Sequence, residues 1–273
     1  MKKQKSILLY ILATGLSINT YAQFTGGGSG GDNRQVGQKT VTKVGSVNDI
    51  FRQTNGYFRI GFSSPVGSFA DEPSSKINTL KQIYDGNAGV GAKTGFTFEG
   101  GFISYFDDLP LAEQFKAGLD LSFAYSHNKP DWTHWNNGWE DAEYLPFLFF
   151  ESKIGPAISY NPIGSLVVDA YFKLCPLLSY GGNISMSEEN ASTSYSYYID
   201  GGLGSGIKKA LGFNIKQNKM VLGLEMNLGR INYNITEYYY IMNKSNYTSD
   251  SDTDTFEGKA PTGTIRCTFG LCF

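Results

Sequence analysis

The run Phe115-Lys116-Ala117-Gly118-Leu119-Asp120-Leu121-Ser122-Phe123-Ala124-Tyr125 alternates, with apolar odd positions and polar or small even ones. Successive side chains of a strand point to opposite faces, so a period of two marks a strand with one apolar and one polar face. About eleven residues is also the length a tilted strand needs to cross a bilayer. Residues 220–228 repeat the pattern, with Met220, Leu222, Leu224, Met226 and Leu228 set against Val221, Gly223, Glu225 and Asn227. So does the C-terminus, with Ile265, Cys267, Phe269, Leu271 and Phe273 set against Thr264, Arg266, Thr268, Gly270 and Cys272.

Worked outward from these three stretches, the chain predicts eight strands, near 56–63, 92–106, 115–126, 145–160, 166–180, 199–215, 220–233 and 262–273. The gaps alternate: 64–91, 127–144, 181–198 and 234–261 are long, and 107–114, 161–165 and 216–219 are short. Even strand number with alternating long and short connections is the layout of outer-membrane barrels. The expected fold is all-β: an eight-stranded antiparallel transmembrane β-barrel over residues 56–273, with long extracellular loops and short periplasmic turns.

The rest of the chain fits export. Lys2, Lys3 and Lys5 precede a short apolar run, and Thr20-Tyr21-Ala22 offers small residues around a cut before Gln23, so residues 1–22 read as a signal peptide. Residues 23–55, with Gly26-Gly27-Gly28-Ser29-Gly30-Gly31, read as a flexible Gly-rich periplasmic leader. Aromatics at 15% argue against disorder, and a net charge of −2 gives no basic footprint, so no nucleic-acid partner is expected. The sequence holds no CxxC, HExxH or phosphate-loop motif. Cys267 and Cys272 fall on opposite faces of one strand and Cys175 points inward, so three free thiols are expected.

The terminal run Thr264-Ile265-Arg266-Cys267-Thr268-Phe269-Gly270-Leu271-Cys272-Phe273 resembles the assembly signal of bacterial outer-membrane barrels. Lys153-Ile154-Gly155-Pro156-Ala157-Ile158-Ser159-Tyr160-Asn161-Pro162 resembles the fourth strand and turn of small OmpA/OmpX-like barrels. The resemblance covers residues 56–273. It implies outer-membrane localisation, contact with outer-membrane lipid, and insertion by the barrel-assembly machinery through Phe269, Leu271 and Phe273. It implies no particular activity.

On this register the lumen receives Arg59, Glu99, Lys116, Asp120, Glu151, Lys153, Asp169, Lys173, Lys208, Glu225 and Arg266. Eight strands leave an interior that side chains fill, so these charges read as a neutralising core rather than an ion path. Turns at Gln217-Asn218 and Pro162-Ile163 set Lys208 opposite Asn227 and diagonal to Glu225, and set Glu151 and Lys153 beside Lys173. Pro156 and Pro176 fall inside strands, which predicts bulges, and Lys209 falls among lipid-facing residues, so either a bulge near Lys208-Lys209 shifts the phase or this lysine snorkels.

His127 and His134 flank Asp131, too few ligands for a metal site, and Ser122 and Ser126 have no fixed geometry toward a histidine. No catalytic residue, metal or cofactor is expected. Trp132, Trp135 and Trp139 read as a surface-contact patch, against the alternative of a girdle that Tyr105, Tyr160, Tyr180, Tyr195, Tyr197 and Tyr198 fit better. Residues 76–84 have helical spacing, and Asp250-Ser251-Asp252-Thr253-Asp254 reads as a solvated loop tip. The expected role is structural or interactive, through extracellular loops and an unidentified extracellular partner. The rival readings are a small porin, a rim-sited lipid-modifying enzyme and a secreted lipocalin-like barrel.

Overall fold

The computed structural model describes residues 46–72, 89–131, 141–181, 184–200 and 202–273. A short helix, α1 (Val47–Gln53), opens the described chain, and twelve strands follow. They are β1 (Gly56–Pro65), β2 (Gly95–Tyr105), β3 (Phe115–Asn128), β4 (Asp141–Tyr144), β5 (Phe147–Ile163), β6 (Leu166–Tyr180), β7 (Ile184–Glu189), β8 (Thr193–Asp200), β9 (Leu203–Gln217), β10 (Met220–Asn243), β11 (Thr248–Pro261) and β12 (Thr264–Cys272).

Eight of them close an antiparallel ring in the order β12-β1-β2-β3-β5-β6-β9-β10, sealed by the β10–β12 pairing. The ring is uneven: β12 has 9 residues and β10 has 24. Paired residues can be followed once around it, from Val167 through Lys216, Val221, Gly270, Arg59, Glu99, Ala124 and Glu151 to Leu177. The path returns to β6 ten residues from its start, between Val167 and Leu177. A stagger of that size in eight strands corresponds to a tilt of about 40°.

Alternation sorts the ring residues. The odd positions of β9 and the even positions of β10 up to Asn234 point outward, and the intervening ones are buried, with half-buried glycines at Gly206, Gly212 and Gly229. Outside lie Phe58, Ile60, Phe62, Phe96, Phe98, Ile154, Phe172, Leu211, Phe213, Leu222, Leu224 and Phe269, each at least 40% exposed. Inside lie charged and hydroxyl side chains.

Beyond the ring, the long connections build a second structure that the sequence pattern did not indicate. The upper half of β10 pairs with β11 on one side and β8 on the other, and β7 and β4 follow in an antiparallel sheet β11-β10-β8-β7-β4. β11 is polar on both faces up to Thr255, and β7 and β8 have only 6 and 8 residues, which hides any hydrophobic period of two. Asp250, Asp252 and Asp254 therefore lie within β11 and not at a loop tip.

Three further expectations change. Residues 46–55 belong to the compact unit: Ser46 and Asp49 form a reciprocal capping box that starts α1, and Phe51 is buried against Tyr105 with ring centroids 5.6 Å apart. Tyr105 is thereby drawn inward, with its hydroxyl 3.0 Å from that of Ser159, and is no girdle residue. No bulge accommodates the prolines. β5 and β6 keep one register through Leu148↔Tyr180, Glu151↔Leu177, Ile154↔Leu174, Ala157↔Tyr171 and Tyr160↔Val168, and the only shift is at the turn, past Tyr160. Pro156 and Pro176 lack N–H groups, and the unassigned pairs of this ladder lie beside them. The neighbouring ladders β3–β5 and β6–β9 run through both prolines.

Candidate functional site

The ring interior concentrates the chemistry of the chain. Arg59, Lys153, Lys173, Lys208, Lys216 and Arg266 face Glu99, Asp120, Glu151, Asp169 and Glu225, all at most 2% exposed. A buried charge is tolerable only when paired and hydrogen-bonded. Each of these is paired. Glu151 receives both terminal nitrogens of Arg266, at 2.7 Å each, and Lys208 at 3.0 Å. Lys153 bridges Glu99 at 2.8 Å and Glu225 at 2.5 Å. Arg59 lies 3.0 Å from Glu99 and 3.6 Å from Glu225. Lys173 lies 2.8 Å from Asp120 and 3.5 Å from Glu99.

Hydroxyls and rings complete the shell. Ser122 donates to Glu99 at 2.9 Å, Tyr57 to Asp120 at 2.9 Å, and Tyr171 to Glu225 at 3.0 Å. Lys208 sits over the ring of Phe149, 4.0 Å from its centroid. Small residues make this density possible. A Cβ on Gly223 would lie 2.3 Å from the Arg59 guanidinium, and one on Gly212 would lie 2.6 Å from the Tyr171 hydroxyl.

Both ends of the ring are stopped. At the short-turn end, Lys216 lies 2.9 Å from Asp169 and donates at 2.6 Å to the Thr54 carbonyl, which ties α1 across the opening. At the other end Phe69, on the single-turn helix Gly67–Phe69, meets the edges of Phe147 and Phe149 at 5.8 and 6.0 Å. Phe147 in turn meets Tyr233 at 6.2 Å, and the Tyr233 hydroxyl lies 2.7 Å from that of Ser179.

Ten of the expected lumen residues occupy this interior; Lys116 does not. Its ammonium lies at the short-turn rim, 3.0 Å from Asp107, whose carboxyl it holds below the usual range. Lys216 belongs to the interior and was missed, because ending its strand at 215 put it in a turn. The pairings also differ. The β9–β10 turn is Asn218-Lys219, so Lys208 sits opposite Gly229 and its carboxylate is Glu151, not Glu225. The β5–β6 turn is Gly164-Ser165, so Lys173 finds Asp120 and Glu99 rather than Glu151.

Phe269, Leu271 and Phe273 stand in the outward row of β12, 46%, 58% and 60% exposed. The backbone of Phe273 exchanges two hydrogen bonds with Gly56, closing the ring at its last residue. Trp132, Trp135, Trp139 and His134, and residues 1–45 and 76–84, lie outside the described residues. His127 faces outward between Phe96 and Tyr125, whereas Ser122 and Ser126 face inward, Ser126 accepting from Arg266 at 2.9 Å. The wall separates that histidine from both serines. Cys175, Cys267 and Cys272 are free thiols.

No family model, curated protein or solved structure matches this chain.

Proposed function

We propose that the chain is an integral outer-membrane β-barrel, of the small OmpA/OmpX-like kind, that anchors an interaction surface outside the cell. The observation that carries this reading is the inverted polarity of the ring, apolar outside and charged inside. At a tilt near 40°, each residue climbs about 2.5 Å along the ring axis and each strand step about 3 Å. On that scale most of the outward apolar residues, from Leu166, Tyr160 and Phe115 up to Ile265, Leu228 and Ile207, fill a band about 25–28 Å tall, close to the belt of a lipid-facing barrel, and Leu148, Leu178, Tyr180 and Leu203 stand above it. A lipocalin-like carrier needs the opposite polarity, with apolar side chains around an interior ligand.

The filled interior and stopped ends favour an anchor over a pore. The sheet β11-β10-β8-β7-β4 is the part left to meet a partner. One of its faces sets Glu237, Asp250, Asp252 and Asp254 beside Tyr197 and Tyr239, chemistry suited to a basic protein surface. Lipid would cover the apolar band, and the barrel-assembly machinery would read the row ending in Phe273. The role is non-enzymatic.

An epitope inserted at Asn246, in the β10–β11 turn, tests this. Antibody should label intact cells, and the protein should sediment with outer membranes. Labelling only after lysis, or recovery of the protein from the medium, would contradict the reading.

A further inference from the structure

The outward faces of the eight ring strands carry only two charged residues, Lys209 and Arg230, and these are neighbours. Lys209 lies opposite Leu228 and Leu174, and Arg230 lies opposite Ile207, so the two cations are diagonal across the β9–β10 seam. Diagonal positions sit about 7–8 Å apart, within reach of long side chains. The row continues onto β11, where Lys259 lies opposite Asn232, two residues above Arg230. Asn232 and Ser205 face each other at that level and add outward polar groups. All three cations are exposed, and none makes an ion pair among the described residues. The nearest acid on that face is Glu257, two residues beyond Lys259 on β11.

Height makes the cluster meaningful. On the same tilt, Lys209 stands about 23 Å above Leu166, Arg230 about 31 Å and Lys259 about 39 Å. The row thus begins in the top of the apolar band and climbs out of it toward the long connections. A cation facing lipid opposes insertion, and nothing in the ring wall offsets these two. Phosphate just above acyl chains would do so, with Arg230 able to engage it through two parallel N–H groups.

We infer that Lys209, Arg230 and Lys259 bind the phosphate-bearing headgroup of a lipid in the leaflet nearest the long connections. This rests on the membrane reading proposed above. The site is open to the side, so the ligand arrives by lateral diffusion with its chains along Leu228, Leu174 and Ile207. Lys209 thereby needs no bulge: its ammonium extends upward to the phosphate level.

The test compares wild type with the double variant Lys209→Leu, Arg230→Leu in neutral phosphatidylcholine vesicles, with and without bisphosphorylated lipid A. In neutral vesicles the variant should unfold at higher urea than wild type, because lipid-facing charges are gone. In lipid A vesicles the order should reverse, and native mass spectrometry should show retained lipid A falling about five-fold per cation removed. A shift of the same sign in both vesicles overturns the inference. So does an equal reversal with lipid A stripped of its phosphates, which marks acyl packing alone. Equal stabilisation by inorganic phosphate overturns the assignment to lipid. Insertion without the reversal defeats this inference only, whereas wild type that floats with no vesicle defeats the membrane reading as well.

Discussion

Three cations converge on the carboxylate of Glu151: Arg266 through two bonds, Lys208, and Lys153 at 3.8 Å. Removing one partner of a buried ion pair costs more than the pair itself contributes, because the other charge stays behind unpaired. Glu151→Ala should therefore lower stability by about 3–5 kcal/mol, while Glu151→Gln, which still accepts from Arg266, should lose less. Urea unfolding followed by heat-modifiable mobility checks this, and equal losses in the two variants would count against the network. Which residues point inward was legible, since the period of two in 115–125 and 220–228 carries that information locally. Who pairs with whom was not. Arg266 and Glu151 are 115 residues apart and meet because of the stagger around the ring. A turn misplaced by one residue, which shifts the cross-strand register by two, was enough to give Lys208 the wrong carboxylate.

At the scale of elements, the ring strands and the outer sheet obey different rules. Ring strands carry long apolar rows and were visible; β11 carries none over most of its length, and β7 and β8, with 6 and 8 residues, are too short for one to stand out. Helix α1 had a signal in Ser46 and Asp49 at capping-box spacing, hidden by the polar, Gly-rich sequence around it. The outer sheet also has its own pH response. Burial raises the Glu237 carboxyl above the usual carboxylate range, opposed by the Tyr197 hydrogen bond and reinforced by Asp254. A raised folded pKa means that the folded sheet holds this proton more tightly than the unfolded chain does. The associated stability is present at low pH and is lost as the pH rises through the folded value. Glu189 behaves oppositely: its hydrogen bond from Lys244 lowers its pKa, so that contribution disappears only below the ordinary carboxylate range. As the pH rises above the ordinary carboxylate range, the Glu237 effect should dominate. Amide protection in β8 and the upper half of β10 should fall with that rise, and Glu237→Gln should abolish the fall and raise protection at pH 7. Unchanged pH dependence in the variant would assign the effect elsewhere.

The whole molecule joins a neutralised interior, two stopped ends and an apolar outer wall. A selective pore needs a ring of one sign and a water path; here the interior alternates in sign, and Phe69, Phe147, Tyr233 and α1 close the ends. Wild-type protein in planar bilayers should show no steady conductance. A steady nanosiemens-scale current would restore the porin reading. The claim on which all else depends is that the outward face meets lipid. Nitroxides placed singly at Met220, Leu222, Leu224, Met226, Leu228 and Arg230, in a chain freed of Cys175, Cys267 and Cys272, measure it directly in vesicles. The ratio of oxygen to nickel-chelate accessibility should peak near Leu224 and decline toward Met220 and Arg230. A flat profile with high nickel access at all six positions would contradict the account.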